Sequence, residues 1–338
     1  MRRTWSVSLP SRQNNLKSSA SKIRVGLIGS GSWGRNIVKT IGAIDGVELS
    51  LVLNRSGRRP DFVPCTIPVA AYQPDLLNPE TIDAVCIATP PHSHADMART
   101  ALRHRLPVFI EKPLTLNLQD AADIAAQHRL NPVHFCVDHI YLFHAGFRAL
   151  KSALAGAGRI RAIAAVGGNW GPFRPDTTML WDWAPHDIAM CLDLVGQNPE
   201  KMTCHRLEIG INGQGQRLEF SMNFPGPCEA RINIGNIFPE RQRRITVYAE
   251  TETLRFEDEA EPRVLRYPAA EPFEDLPGNG ESMAFSGNPP LTQAIEEFCQ
   301  AIRQNDTSTA QLKLGVNVVE LIERLDQSIV AIAGKHRN

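Results

Sequence analysis

The sequence has no excess of either charge. Lys and Arg together number 36, and so do Asp and Glu. Nothing in the bulk electrostatics draws the chain to nucleic acid or to an anionic membrane. It has no CxxC pair: Cys65, Cys86, Cys136, Cys191, Cys204, Cys228 and Cys299 are odd in number and scattered. Cys86 in AVCIA and Cys136 in VHFCV lie inside apolar runs, which fits reduced, buried thiols in a cytoplasmic protein better than a disulfide framework. Apolar runs are short, and none approaches the roughly 20 residues of a membrane-spanning helix. No internal repeat is present, and no GxSxG or Cys–His pattern marks an activated nucleophile. His92 and His94 belong to a Thr-Pro motif, and His134, His139 and His144 lack a carboxylate or thiolate at ligand spacing, so no metal is expected.

Residues 1–22 lack Asp and Glu altogether, are rich in Ser, Arg and Lys, and contain no apolar run of the kind a secretory signal needs. They read as a disordered leader, or as translation begun too early. An organelle transit peptide shares this composition.

What is present is ordinary in amount and informative in order. An apolar fraction of 43% and a charged fraction of 21% suit a globular protein, and 338 residues exceed one comfortable core. Two domains are expected after the leader, at 23–138 and 139–338. In the first, apolar runs at 23–28, 47–53, 84–88, 108–110 and 133–137 alternate with helical patterns at 35–44, 93–104 and 117–129. Near-continuous apolar strands separated by helices indicate a doubly wound parallel sheet, covered on both faces. After 139 the character changes. Helices are expected at 145–154 and 182–194, then strands of alternating polarity at 203–209, 217–223, 229–237, 244–248 and 263–267, as in a largely antiparallel sheet with one wet face. Residues 268–290 read as a loop, and helices at 291–303 and 312–333 close the chain. The fold class is α/β, a Rossmann domain followed by an α+β domain with a large open sheet.

Directly after the first strand stands Gly29-Ser30-Gly31-Ser32-Trp33-Gly34, opening a helix. In that context GxGxxG is a dinucleotide fingerprint: Gly29 for the tight turn, Gly31 for backbone approach to a pyrophosphate, Gly34 for close helix–strand packing. The helix N-terminus offers N–H groups and a positive dipole end to the phosphates. The alternative is a glycine-rich turn without a ligand. At the end of the second strand, where an acid would chelate the ribose of NAD, the sequence has Asn54-Arg55-Ser56, followed by Arg58 and Arg59. Arg55 and Ser56 suit a 2′-phosphate, so NADP(H) is favoured over NAD(H), although Arg58 and Arg59 read equally well as a solvated loop.

Three more motifs fall at strand ends: Ala88-Thr89-Pro90-Pro91-His92-Ser93-His94, Glu111-Lys112-Pro113 and Asp182-Trp183-Ala184-Pro185-His186. In this order, GxGxxG, ATPxxxH, EKP and DxxxH resemble the glucose-fructose oxidoreductase, inositol dehydrogenase and rhizopine-catabolism (Gfo/Idh/MocA) family over nearly the whole chain. The resemblance implies a second domain whose open sheet carries the substrate and a homodimer or homotetramer interface. It also implies that Thr89, Pro90, His94, Glu111 and Lys112 lie at the cofactor, and that Lys112, Asp182 and His186 are catalytic. The region of 171–176 and 181–188 looks most like sugar or sugar-nucleotide dehydrogenases. The chain departs from the family around 311–315, where an acid often found is missing.

The residues make chemical sense without the name. Oxidising a secondary alcohol needs a hydride acceptor, a base for the hydroxyl proton and a cation to steady the alkoxide. Asp182 and His186, one helical turn apart, share a face, and Pro185 is tolerated if the helix begins near Asp182. A histidine of ordinary pKa, about 6.5, suits proton transfer, so His186 is read as acid/base and Lys112 as the hydroxyl-polarising donor. Lys112 can instead be the base if burial lowers its pKa. Each also has a plainer reading: a surface lysine, a helix cap and a packed imidazole. Arg174 and Trp183 are weaker candidates for substrate contact. The expected function is hydride transfer between nicotinamide and a sugar, sugar nucleotide or cyclic polyol. The rivals are a glycosidase using nicotinamide transiently and a non-catalytic dinucleotide-binding regulator.

Overall fold

The computed structural model describes residues 21–174, 177–276 and 278–335. All but the last two residues of the leader lie outside these, as do Pro175 and Asp176 of the 171–176 segment. Among the described residues no helix is long and apolar enough to cross a membrane.

The first sheet has six parallel strands: β1 (Ile23–Ile28), β2 (Val47–Asn54), β3 (Val69–Ala71), β4 (Ala84–Ile87), β5 (Val108–Glu111) and β6 (Phe135–Asp138). Their order, β3-β2-β1-β4-β5-β6, reverses between β1 and β4. That reversal opens a crevice at the carboxyl edge of the sheet, where ligands bind in such folds. The strands β4, β5 and β6 are buried at every position, because helices cover both faces. In α1 (Ser32–Ile41), buried Gly34, Ile37, Val38 and Ile41 recur at helical spacing. The helix α2 (His94–Arg103) follows β4, and α3 (Leu118–Leu130) follows β5 with Asn117 capping it through the Asp120 N–H. The division near 138/139 separates the sheets but not all the helices. In α6 (Pro290–Arg303), Leu291, Ile295 and Phe298 pack with Val25, Leu27 and Ile37 of the first sheet's layer.

After α4 (Ala145–Leu154) the second sheet runs β14-β13-β12-β11-β7-β10-β9-β8. Its strands are β7 (Ile160–Trp170), β8 (Lys201–Ile209), β9 (Gln216–Asn223), β10 (Glu229–Gly235), β11 (Ile237–Ala249), β12 (Glu252–Glu257), β13 (Arg263–Pro268) and β14 (Glu281–Met283). Pairing is antiparallel except between β7 and β10. Helices α5 (Met179–Val195) and α7 (Ala310–Lys335) pack together beneath it, with Ile188, Val319 and Ile322 in one core with Phe220 and Ile232.

Four strands escape the sequence reading: β3, β7, β12 and β14. The central one, β7, has low β-propensity because of its Ala and Gly residues. The structure explains the glycines. A Cβ on Gly167 would stand 2.5 Å from Arg243 Nη1, and one on Gly168 2.3 Å from Phe238, so side chains of β11 cross over the bare backbone of β7. The helix α5 also starts three residues before the expected Asp182, because apolar Met179 and Leu180 are buried and extend it. Pro185 therefore lies beyond the first turn. It has no N–H for the Trp181 carbonyl one turn back, and the next carbonyl, of Asp182, accepts from the Lys112 ammonium at 2.6 Å.

Candidate active site

The glycine loop has the geometry its residue types require. Gly29 has φ +104, and a Cβ there would meet the Ala88 carbonyl oxygen at 2.3 Å. A Cβ on Gly34 would meet the Gly29 carbonyl at 2.3 Å, whereas one on Gly31 meets nothing within 4 Å. Gly31 thus leaves backbone open beside the first N–H groups of α1, which no carbonyl of the helix can satisfy. A cavity of about 660 Å³ begins at this loop, passes Asn54, Arg55 and Tyr72 on one side, and ends at Glu111, Lys112, Arg174 and Asp182. This size suits a cofactor pocket.

At the β2 end, Asn54 is occupied with its own turn. Its Oδ1 accepts from the Ser56 and Gly57 N–H groups at 3.1 and 2.7 Å, and its Nδ2 donates to the Arg58 carbonyl at 2.9 Å. The Ser56 hydroxyl donates to Asn54 Oδ1 and does not reach the cavity wall. Arg55 does. The Thr89 and Pro90 positions line the cavity, but His94 does not: fully buried, its ring bridges the carbonyls of Pro113 at 2.8 Å and Thr89 at 2.9 Å. Burial pushes its pKa down, so a neutral ring donates to one of the two. His94 ties the two motif loops together rather than touching a ligand.

At the far end, Lys112 Nζ donates to Asp182 Oδ1 at 2.9 Å as well as to the Asp182 carbonyl. Arg174 Nε stands 3.5 Å from Asp182 Oδ2, so one carboxylate holds two cations at the cavity wall. Behind Lys112, Glu111 and Asp138 are in register on adjacent parallel strands. Both are buried, and Glu111 Oε1 and both Asp138 oxygens have no hydrogen-bond partner. Burial, with the neighbouring carboxyl, holds Glu111 well above the usual carboxylate range, and burial pushes Asp138 up to about 7. The Asp138 charge favours the protonated form of Glu111, while a hydrogen bond from Glu111, once protonated, favours the ionised form of Asp138.

His186 faces elsewhere. It lines a second cavity of about 410 Å³ with Tyr141, His144 and Asp258, and Trp33 stands on the wall of both cavities. Its ring meets Tyr141 edge-on at 5.2 Å, and its Nδ1 is buried without a partner. The Arg243 guanidinium lies 4.3 Å over Tyr141 and pairs with buried Asp187 at 2.7 Å. Burial, then the charges of Lys112 and Arg243, push the His186 pKa well below its ordinary value. The expectation of an unperturbed imidazole is therefore corrected: His186 is neutral because it is desolvated. Trp183 packs against the core and lines neither cavity. The sequence reading missed Tyr141 and Asp258, which follow the carboxyl ends of β6 and β12. Asking what comes after each strand end would have found the first.

Among the described residues no group of three or more His, Cys, Asp or Glu is arranged for a metal ion.

Residues 23–139 match the family model described as an oxidoreductase family with an NAD-binding Rossmann fold (GFO_IDH_MocA). The UDP-N-acetylglucosamine 3-dehydrogenase of Acidithiobacillus ferrooxidans is 24% identical over 288 residues, 83% of this chain and 88% of that protein. Among solved structures, a candidate oxidoreductase from Magnetospirillum magnetotacticum superposes with a TM-score of 0.83 at 32% identity, covering 90% of this chain and 99% of that one. The 3-ketoreductase KijD10 of Actinomadura kijaniata in complex with NADP superposes with a TM-score of 0.72 at 18% identity, covering 90% and 96%; that likeness is one of fold.

Proposed function

From the premise that this chain belongs to the Gfo/Idh/MocA family of oxidoreductases, we propose that it transfers hydride between NADP(H) and a secondary alcohol or ketone of a sugar nucleotide. The observation that carries the reading is Lys112 Nζ, held 2.9 Å from Asp182 Oδ1 at the end of the cavity that starts at the glycine loop. When bound, the nicotinamide supplies the two-electron acceptor. The chain's residues supply the rest. Backbone N–H groups at the start of α1 bind the pyrophosphate, and Gly31 lets it approach. Arg55, on the wall at the β2 end with no acid beside it among the lining residues, suits a 2′-phosphate.

Lys112 donates to the reacting oxygen and steadies the negative charge that grows on it, while Asp182 keeps the ammonium in place. His186 lines the adjoining cavity with its Nδ1 unsatisfied, and serves as proton acceptor for a substrate that reaches past Trp33, the residue common to both cavities. The sugar-nucleotide class is favoured by the 3-dehydrogenase relative, whose likeness extends over both domains. The test is direct: purified protein with NADP and a panel of nucleotide sugars, followed at the absorbance of NADPH. A substrate-dependent rise supports the reading. No rise with any member, or glycoside cleavage without one, sinks it.

A further inference from the structure

The second cavity has a composition that the cofactor pocket does not. Its walls are aromatic at Trp33 and Tyr141 and polar at His144, His186 and Asp258. A pyranose presents the same mixture: a C–H face that stacks on an aromatic ring, and a rim of hydroxyls that both donate and accept. Among the described residues no Lys or Arg lines the cavity, and Asp258 is its only carboxylate. Arg241 Nη2 holds Asp258 Oδ2 at 2.9 Å.

His144 is fixed as well. Its Nδ1 accepts from the Gly146 N–H at 3.0 Å, capping α4, which leaves the proton on Nε2. That nitrogen stands 3.8 Å from Asp258 Oδ1, too far for a hydrogen bond of its own. A hydroxyl oxygen placed against both can accept from Nε2–H and donate to Oδ1.

We propose that Asp258, with His144, selects an uncharged sugar ring in this cavity over one bearing a carboxylate. The inference rests on the function proposed above and names the substrate class more closely. A uronate ring set here brings a second carboxylate toward Asp258 with no lining cation to receive it, and like charges brought together at a binding interface are strongly disfavoured.

The probes are UDP-glucose and UDP-glucuronate, which differ by one carboxylate, with the full chain and NADP present. Saturation-transfer NMR on the ring protons reads contact, and titration reads affinity. The wild type is expected to bind UDP-glucose at least about 30-fold more tightly. In Asp258→Asn the negative charge at the cavity is gone, so the preference falls below about threefold. Equal wild-type affinities, failure of UDP-glucose to show ring-proton transfer, or an Asp258→Asn variant with the preference intact overturns the proposal. Thermal melting shows whether the variant folds, and the wild-type comparison decides even if it does not. Ring contact governed by Asp258 without any absorbance change upholds this inference and sinks the redox reading. Turnover of a sugar nucleotide indifferent to Asp258 does the reverse.

Discussion

Lys112 works only through its neighbours. It is held by Asp182 in front and backed by the buried Glu111–Asp138 pair, whose carboxyls burial pushes toward their neutral forms. On the proposed role of Lys112 in steadying an alkoxide, Lys112→Ala is expected to lower turnover by about a thousandfold. NADP affinity should change less than about threefold, since the backbone carries most of the pyrophosphate contact. Steady-state kinetics beside a fluorescence titration check both; unchanged turnover would falsify the assignment. The residues behind Lys112 make a prediction about pH. Asp138 is raised from 3.8 to about 7, so the native state holds a proton that the unfolded chain releases between roughly those values. This contribution favours the fold at low pH and is lost as pH rises through about 7. His139, lowered from 6.5 to about 3 by burial, acts oppositely, destabilising the fold as pH falls below 6.5. The two partly cancel. Asp138→Asn removes the Asp138 loss: relative to wild type its unfolding free energy rises between pH 5 and pH 8, by on the order of 2 kcal/mol. A pH-independent difference would show that Asp138 is not proton-bearing.

At the scale of elements, the glycines divide into two kinds. Gly168 on β7 is bare so that Phe238 of the neighbouring strand can lie across it, and a Cβ there also meets the Gly235 carbonyl at 2.7 Å. Gly168→Ala is expected to destabilise by about 1–3 kcal/mol with little effect on coenzyme affinity. Gly31 is the converse. Its φ of −79 is open to any residue, and a Cβ there meets no protein atom within 4 Å. Gly31→Ala should therefore keep the denaturant midpoint of the wild type and weaken NADP binding by about tenfold, because the methyl group fills the space left for pyrophosphate. Equal effects of the two substitutions on both measurements would refute the distinction. The same strand crossing places Arg243 against Asp187, next to His186 in α5. Removing one partner of so buried a pair costs about 3–5 kcal/mol, so Arg243→Ala is expected to unfold at markedly lower denaturant.

For the whole molecule, α7 packs on α3 and β6 as well as on α5 and β8, so the two sheets share one core, with the cavity running from the glycine loop to Asp182 of α5. Ligand binding there should stabilise the entire chain. At a hundredfold excess over its dissociation constant, NADP is expected to add about 2.7 kcal/mol, and NAD at the same concentration less. Arg55→Ala should erase that difference. Thermal shifts with both coenzymes decide it, and a larger shift with NAD in the wild type overturns the coenzyme preference.

Residue order alone determined the parallel sheet and the glycine loop, because buried strands and phosphate-binding turns need particular residue types at short range. Tertiary structure decided the rest: that His94 is a tie between loops, that Lys112 and His186 open onto different cavities, and that Ala- and Gly-rich β7 is the middle of a sheet. These depend on which side chains arrive from distant strands and helices. Desolvation, which shifts His186 and Asp138 so far, is likewise a property of what surrounds a group in space and leaves no mark on its neighbours in the chain.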